Sequence, residues 1–172
     1  TQPAPADATS YSYDGLGTLL HVELPDSTDI DYVIDGMNRR IGKKVNGSLV
    51  ESFTYEGIRV AKKVDGSHPG AFIYGTKAHV PDFMVSGTAA YRIITDHLGS
   101  PRLVVNASTG VVAQRIDYDE FGNVTSDTNP GFHPFGYAGG VYDRDTGLVR
   151  LGARDYDPAT GRWTVKDPIL FA

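Results

Sequence analysis

The alternation of apolar and polar residues predicts β-strands along almost the whole chain. Near the N-terminus, Leu20, Val22 and Leu24 fall on one face of such a strand and Leu19 on the other, because successive strand residues point to opposite faces. No ten-residue window carries a helical stripe of apolar residues. The pattern therefore predicts an almost entirely β protein.

Two matching segments indicate that hairpins repeat along the chain. Residues 40–47 and 59–66 agree in residue class, position by position, at a spacing of 19. The first segment ends in Asn46-Gly47 and the second in Asp65-Gly66, and such pairs readily form type I′ hairpin turns. A strand-like run follows each pair. We predict two antiparallel hairpins with these pairs at their tips.

A second motif places an acidic residue at the end of a strand and a glycine or asparagine three positions later. Its copies recur about every twenty residues: Tyr13-Asp14-x-x-Gly17, Ile34-Asp35-x-x-Asn38, Tyr55-Glu56-Gly57, Thr95-Asp96-x-x-Gly99 and Tyr118-Asp119-x-x-Gly122, with looser copies at Tyr142-Asp143 and Tyr156-Asp157. In this motif the tyrosine closes a strand against the core, the acid bonds the turn backbone, and glycine takes the left-handed conformation.

These repeats and the motifs after them resemble the RHS (YD-repeat) family over residues 11–172. The later motifs are Asp96-His97-Leu98-Gly99-Ser100-Pro101-Arg102, Pro134-Phe135-Gly136-Tyr137, Leu151-Gly152-Ala153-Arg154-Asp155-Tyr156-Asp157-Pro158, Gly161-Arg162-Trp163 and Asp167-Pro168-Ile169. The resemblance implies an all-β fold, a curved antiparallel sheet of successive hairpins that forms part of a hollow shell. We expect about twelve to fourteen short strands. The implied divisions are a flexible lead-in (1–10), repeat hairpins (11–95) and a continuous RHS-repeat-associated core domain (96–172).

The resemblance also implies a function. In this family the shell encloses a C-terminal toxin or effector segment, its core domain plugs one end, and autoproteolysis releases the segment. The implied setting is a bacterial polymorphic toxin that is secreted, displayed on the cell surface or injected. The bond that is cut lies downstream of the family's second catalytic aspartate. The sequence begins with Thr1 rather than Met and ends at Ala172. We therefore expect a structural fragment without protease activity. Its expected partner is the protein's own C-terminal toxin or effector, which is absent from this sequence.

The family's aspartyl autoprotease residues fall on Arg154, Asp155 and Asp167. Two carboxylates that share a site cannot both ionise easily, so one stays protonated while the other activates water, and a guanidinium can orient them. The alternative is that both aspartates bond turn backbones. A hairpin turn at residues 157–161 would place Asp155 opposite Trp163, about 13 Å along the strand from Asp167.

Composition narrows the other possibilities. The 172 residues carry a net charge of −5 and no cysteine, which disfavours nucleic acid as a partner and rules out disulfides and thiol catalysis. The first residues lack the charged head and the apolar stretch of a signal peptide, and no apolar run is long enough for a membrane helix, so we expect neither element in these 172 residues. The five histidines are scattered and no phosphate-binding loop occurs, so we expect no metal and no cofactor.

Three other functions stay open at this point. One is an active self-cleaving aspartyl protease, another is a cell-surface adhesion or carbohydrate-binding module, and the third is a β-scaffold that forms homo-oligomers through open sheet edges. The lysine pairs Lys43-Lys44 and Lys62-Lys63 each place one lysine among apolar neighbours. These lysines are expected either at solvated edges or lining the interior of the shell.

Overall fold

A computed structural model describes residues 8–166, and antiparallel strands dominate it. Twelve strands form one sheet in which the spatial order equals the order along the chain. They are β1 (Ser10–Tyr13), β2 (Leu19–Glu23), β3 (Asp29–Ile34), β4 (Arg40–Val45), β5 (Ser48–Glu56), β6 (Arg59–Asp65), β7 (Gly70–Ile73), β8 (Phe83–Ser86), β9 (Ala89–Thr95), β10 (Pro101–Asn106), β11 (Val112–Tyr118) and β12 (Val124–Asp127). The predicted all-β class and the series of hairpins are confirmed.

A smaller sheet follows. Its four strands also pair in chain order: β13 (Val141–Tyr142), β14 (Val149–Leu151), β15 (Arg154–Asp157) and β16 (Arg162–Trp163). A short 3₁₀ turn (Tyr137–Gly139) precedes them. The described residues thus contain sixteen strands, slightly more than predicted. The large sheet runs without a break past residue 96, and the proposed division between repeats and core domain stays a prediction.

In the part of the chain that the structure describes, no helix has the length and apolar character needed to cross a membrane.

Contacts made by the β15–β16 hairpin and the residues just after it show that the large sheet is curved. They reach turns near both ends of the large sheet. The Tyr156 hydroxyl donates a 2.9 Å hydrogen bond to the Phe121 carbonyl in the β11–β12 turn, while Val165 packs against Gly17 in the β1–β2 turn. In a flat sheet these turns would lie about 50 Å apart. The nine residue steps from Tyr156 to Val165 span at most about 30 Å, so the sheet must bend between the two turns.

A β-bulge recurs just after five of the turns. In each case one extra residue of the second strand shifts the register of the ladder: Leu20, Ile41, Ala61, Arg102 and Thr125. Bulges bend a strand and increase its twist, so bulges in five of the six hairpins that join an odd-numbered strand to the next, all but β7–β8, favour a curved sheet. The bulge also corrects the predicted alternation, because Leu19 and Val22 are both fully buried whereas Leu20 is 38% exposed.

The acidic residue of the second motif shapes its turn as predicted. In the β1–β2 turn, the Asp14 carboxylate accepts hydrogen bonds from the backbone N–H groups of Leu16 (2.9 Å) and Thr18 (2.8 Å), and Gly17 has a φ of +80°. The same pattern recurs with Asp35 and Asn38, Asp96 and Gly99, and Asp119 and Gly122. The motif therefore encodes a defined turn rather than a loop of variable shape.

The two predicted hairpin tips differ from each other. Asn46 and Gly47 have φ values of 49° and 78° and join β4 to β5 directly, as predicted. The prediction for Asp65-Gly66 is wrong, since β6 ends at Asp65 and four residues separate it from β7. The Asp65 carboxylate accepts from the N–H groups of two residues in this loop, which favours a wider turn. Pro69, immediately before β7, has no N–H to donate to a tighter ladder.

The C-terminal segment, defined here as residues 130–166, covers one face of the large sheet. Its Phe132, Phe135 and Val141 pack with apolar residues of the middle strands, and Leu148 packs with those of β2 and β3. Phe135 makes an edge-on contact with Phe72, with ring centroids 4.9 Å apart. The core is therefore a layer between the sheet and the chain's own C-terminal segment.

Candidate functional site

Buried charges interrupt the apolar layer between the sheet and the C-terminal segment. All of them are at most 6% exposed, and we call them the charged seam: Arg40, Lys43 and Lys63 from the sheet, and Asp143, Arg150 and Asp155 from the C-terminal segment. Charged side chains are rarely fully buried unless they are paired. The seam therefore depends on its ion pairs, and it is the candidate functional site.

Asp155 joins the two halves of the seam. One carboxylate oxygen accepts from Arg40 Nη2 and the other from Arg150 Nη1, both at 2.8 Å. Arg150 also donates to the Asn38 side-chain oxygen at 2.8 Å, and Arg40 stacks on the ring of Tyr32, 3.5 Å from its centroid. Such geometry offsets the desolvation of the three charges, and removing one partner would leave an uncompensated buried charge.

Arg40 occupies a position that other repeats give to the core. It is the first residue of β4 and pairs with Ile34, just as Leu19 pairs with Tyr13 and Val60 with Tyr55. Leu19 and Val60 are buried and apolar. A side chain at this position points inward, so an arginine here must find a partner inside the protein. Asp155 is that partner.

This equivalence corrects the predicted repeat register. Four residues separate Tyr55 from Val60, whereas five separate Ile34 from Arg40. The β5–β6 turn is thus one residue shorter than the β3–β4 turn, and β4 matches β6 at an offset of 20 rather than 19. Lys43 then corresponds to Lys63, and both are buried.

Lys43 binds two acids of the β13–β14 turn. Its Nζ lies 2.5 Å from Asp143 Oδ1 and 2.6 Å from Asp145 Oδ2, and the Tyr32 hydroxyl donates to the other Asp143 oxygen at 2.5 Å. Burial alone would raise the pKa of the Asp143 carboxyl, but the Lys43 charge and the hydrogen bonds outweigh it and hold the pKa below its usual range. Asp143, the acid of the looser Tyr142-Asp143 copy of the motif, therefore fixes the C-terminal segment to β4.

Lys63 anchors the start of the C-terminal segment. It donates to the Gly131 carbonyl at 2.6 Å and pairs with Asp65 at 2.7 Å. Nearby His133 is buried, and burial together with the Lys63 charge lowers the pKa of its imidazole to about 3. Lys44 and Lys62 are partly or fully exposed. Each lysine pair thus sends one member into the interior, as one of the two sequence alternatives predicted.

The structure places two of the three predicted catalytic residues. The Arg154 guanidinium lies over the Trp163 ring, 4.1 Å from its centroid, and Asp155 is one of the two acids of the seam. Asp167 lies outside the described residues. The alternative that Asp155 bonds a turn backbone is wrong, since both its oxygens bind guanidinium groups. Tyr156, rather than Asp155, pairs with Trp163. The catalytic assignment itself stays a prediction.

A curved sheet of tyrosine-aspartate hairpins, with one face covered by its own C-terminal segment, defines a β-shell of the RHS (YD-repeat) class. The chain belongs to the Teneurin YD-shell family, whose model matches residues 5–172. The resemblance inferred from the sequence is thereby confirmed.

Several teneurins are similar to this chain. Human Teneurin-4 is 33% identical over 169 residues, which cover 94% of this chain and 6% of the relative. Chicken Teneurin-1 is 34% identical over 142 residues, 78% of this chain and 5% of the relative. The Salivary gland surface protein 1 of Aedes aegypti is 39% identical over 82 residues, 46% of this chain and 2% of that protein. The chain therefore spans about one twentieth of the teneurins that it matches.

Solved structures share the fold at lower identity. The crystal structure of TcdB2-TccC3 has a TM-score of 0.69 at 17% identity, covering 93% of this chain and 9% of that one. The structure of TcdB2-TccC3 without its hypervariable C-terminal region has a TM-score of 0.64 at 15% identity, over 90% of this chain and 9% of that one. At such identities the likeness supports the shell fold alone.

Proposed function

We propose that this chain forms a wall segment of a hollow β-shell, together with the plug that covers its inner face, and that the shell encloses a polypeptide segment of the protein to which it belongs. The observation that carries the proposal is the charged seam. Three basic side chains of one sheet face, two on β4 and one on β6, bind the C-terminal segment of the same chain. The chain contributes structure rather than catalysis in this proposal.

The curvature of the sheet supports this function. A sheet that bends enough for one hairpin to contact turns near both ends has an inside and an outside. The C-terminal segment lies on the inside, where it packs into the apolar layer. Separating this inner layer from the sheet would leave buried charges without their partners, which is strongly unfavourable. The layer would therefore hold the wall in its curved shape around the segment that it encloses.

The family supports the same conclusion. Relatives are many times longer than this chain, which fits a wall built from repeated hairpins to which this chain contributes one part. One structural neighbour is a form of TcdB2-TccC3 that lacks its hypervariable C-terminal region. By analogy, we propose that the enclosed segment of this protein is a variable C-terminal toxin or effector. We also propose display outside the cell, as the name of the mosquito relative indicates for that protein.

The test uses the full natural polypeptide that contains this chain. A protease recognition site is inserted into the segment that follows the shell, and cleavage by the matching protease is followed on a gel. We expect the site to be protected in the wild type and cut when Asp143→Ala and Asp155→Ala open the seam. The control is Asp31→Asn, at a half-exposed acid of β3, which should leave protection intact. Rapid cleavage of the folded wild-type protein would refute enclosure.

A further inference from the structure

Large apolar side chains stand exposed at the turns along one edge of the large sheet. The turns that join an odd-numbered strand to the next all lie at this edge, because the strands pair antiparallel in chain order. In five of these turns the residue two positions after the acid is apolar and 44–84% exposed, and we call these residues the apolar row: Leu16, Met37, Ile58, Leu98 and Phe121. Such turn positions ordinarily favour polar residues or glycine, and contiguous exposed apolar groups mark interaction sites.

The two ends of the apolar row show what kind of partner contacts it. A methyl group added at Gly161 would meet the Phe121 ring at 3.1 Å, so the backbone of the β15–β16 turn packs directly on this ring. At the other end, Val165 packs against Gly17 in the turn that carries Leu16. In both places the partner is a polypeptide segment of the same chain.

A cavity of about 460 Å³ lies beside two middle members of the row, Met37 and Ile58, next to the β14–β15 turn. Its lining contains no Asp or Glu but three arginines: Arg39, Arg59 and Arg150. Two of these are paired with acids outside the lining, Asp35 and Asp155, whereas Arg59 forms no ion pair with the described residues. In a chain of net charge −5, this cavity favours an anionic group.

Arg59 is held in place while its terminal nitrogens stay available. Its guanidinium lies over the Tyr74 ring, 5.2 Å from the centroid, and its Nε donates to the Ala78 carbonyl at 2.7 Å. Neither Nη atom bonds to an acceptor among residues 8–166, not even to Glu56, the partner of Arg59 in the ladder. The two Nη atoms form a planar fork that matches a carboxylate, and ordering the side chain in advance lowers the cost of binding.

We propose that Arg59, Ile58 and the cavity beside them bind an extended polypeptide segment that carries an acidic side chain two positions from a large apolar one. The carboxylate binds the Arg59 fork, and the apolar side chain enters the cavity against Ile58 and Met37. Residues i and i+2 of an extended segment point to the same side, about 7 Å apart. The volume lies within the range of ligand pockets.

The segment belongs to the same polypeptide, outside these 172 residues. The chain covers only 6% of a similar teneurin, and the ends of the apolar row already contact polypeptide of the same molecule. The inference goes beyond the proposed function, because it concerns an edge of the wall rather than the segment that the wall encloses.

The first test is an NMR titration of the isotope-labelled 172-residue chain with the capped peptide Ac-Gly-Leu-Gly-Glu-Gly-NH₂ and two analogues, one with glutamine for glutamate and one with alanine for leucine. We expect the first peptide to shift the backbone signals of Ile58, Arg59 and Gly152 and to bind at least threefold more tightly than either analogue. Hexanoate, a carboxylate with an apolar tail but no peptide backbone, should bind more weakly. Equal affinities for the three peptides, no shifts at millimolar peptide, or equally tight binding of hexanoate overturns the proposal.

Two variants locate the contacts, and both replace exposed side chains. Arg59→Gln should bind the glutamate and glutamine peptides equally, and Ile58→Ser should bind the leucine and alanine peptides equally, because each removes the group that discriminates. The controls are Arg102→Gln, at an arginine that lies over Tyr118 in another hairpin, and Leu16→Ser, in the same row. Neither control residue lines the cavity, so both should keep the preferences. A preference for glutamate that persists in Arg59→Gln would refute the assigned contact.

The second test identifies the source of the segment. In the full natural polypeptide, the photoreactive residue p-benzoylphenylalanine replaces Ile58, and the cross-linked peptides are identified by mass spectrometry. We expect a link within the same molecule to a segment outside these 172 residues that has an acid two positions from an apolar residue. A link to a second molecule, or only to residues of this chain, overturns the proposal. The protease-protection test reads enclosure independently, so either proposal can fail alone.

Discussion

Arg40 and Asp155 lie 115 positions apart in sequence and form a 2.8 Å hydrogen-bonded ion pair. Their side chains are 2% and 1% exposed, so the pair is shielded from solvent. Arg150 binds the second oxygen of the same carboxylate. One acid therefore binds two arginines from different sheets, and the position of the C-terminal segment on the large sheet depends on it.

Asp155→Asn should destabilise the protein by about 3–5 kcal/mol, because it leaves two buried guanidinium groups without a counter-charge. Urea denaturation followed by circular dichroism measures the change in free energy of unfolding. The matched control is Asp117→Asn, which removes an acid that also binds two arginines, Arg102 and Arg115, but on the surface. That change should be much smaller, since exposed ion pairs contribute little. Similar effects of the two variants would show that the seam does not stabilise the fold.

The local parts of the fold could be predicted from sequence, and the long-range parts could not. The Asp14 turn is specified within five residues, by a carboxylate that reaches two N–H groups and a glycine that adopts positive φ. The bulge at Leu20 has no such local signature. It depends on how the following strand pairs, so the simple alternation placed Leu19 on the wrong face.

His133→Asn should reduce the loss of stability at mildly acidic pH. The folded-state pKa of His133 is about 3, whereas that of an unfolded histidine is about 6.5. Between these values the unfolded chain binds a proton that the folded protein does not, so acidification destabilises the fold by about 1.4 kcal/mol per pH unit. Asparagine does not titrate and can still accept from the Phe135 N–H.

Urea denaturation between pH 4.5 and 6.5 tests this prediction. The window excludes the range below about pH 4 in which Asp143, whose pKa is lowered in the fold, would also lose its contribution. The control His97→Asn changes an exposed histidine of a repeat turn and should leave the slope nearly unchanged. A wild-type slope equal to that of His133→Asn would contradict the buried neutral state.

Gly47→Ala and Gly66→Ala should differ, although each glycine is the last residue of one of the two matching segments. Gly47 has a φ of +78°, and alanine there would cost about 1 kcal/mol of stability. Gly66 is not among the residues at positive φ, and a methyl group there would meet no atom within 4 Å. Its replacement should be neutral or slightly stabilising. Thermal unfolding of the two variants measures the contrast, and equal losses would contradict the distinction between the turns.

The site was less predictable than the fold, for a physical reason. The sequence indicated Asp155 through a family motif, but its partners Arg40 and Arg150 become visible only when the sheet curves and the C-terminal segment crosses it. One signal could have found Arg40. It stands where Leu19 and Val60 stand in other repeats, and a charge at a core position requires a partner. The apparent 19-residue repeat hid this, because it aligned Arg40 with Arg59.

The last prediction concerns self-cleavage and the residues Arg154, Asp155 and Asp167. The chain is extended by about twenty-five natural downstream residues, enough for several further strands, and cleavage is followed on a gel. If the aspartyl mechanism holds, the wild type is cut, whereas Asp155→Asn and Asp167→Asn are not. Asp155 also supports the fold, so loss of cleavage in Asp155→Asn alone has two explanations.

Arg40→Leu separates them. This variant removes one partner of the seam, restores the apolar residue type found at the equivalent position of other repeats, and leaves Asp155 paired with Arg150. If Asp155 is needed only to hold the C-terminal segment in place, Arg40→Leu should reduce cleavage in proportion to its effect on unfolding. If Asp155 takes part in the chemistry, Arg40→Leu should still be cut while Asp155→Asn, folded under the same conditions, is not. Cleavage of both aspartate variants at the wild-type rate would rule out the aspartyl mechanism for this protein, and the seam would then be a structural device alone.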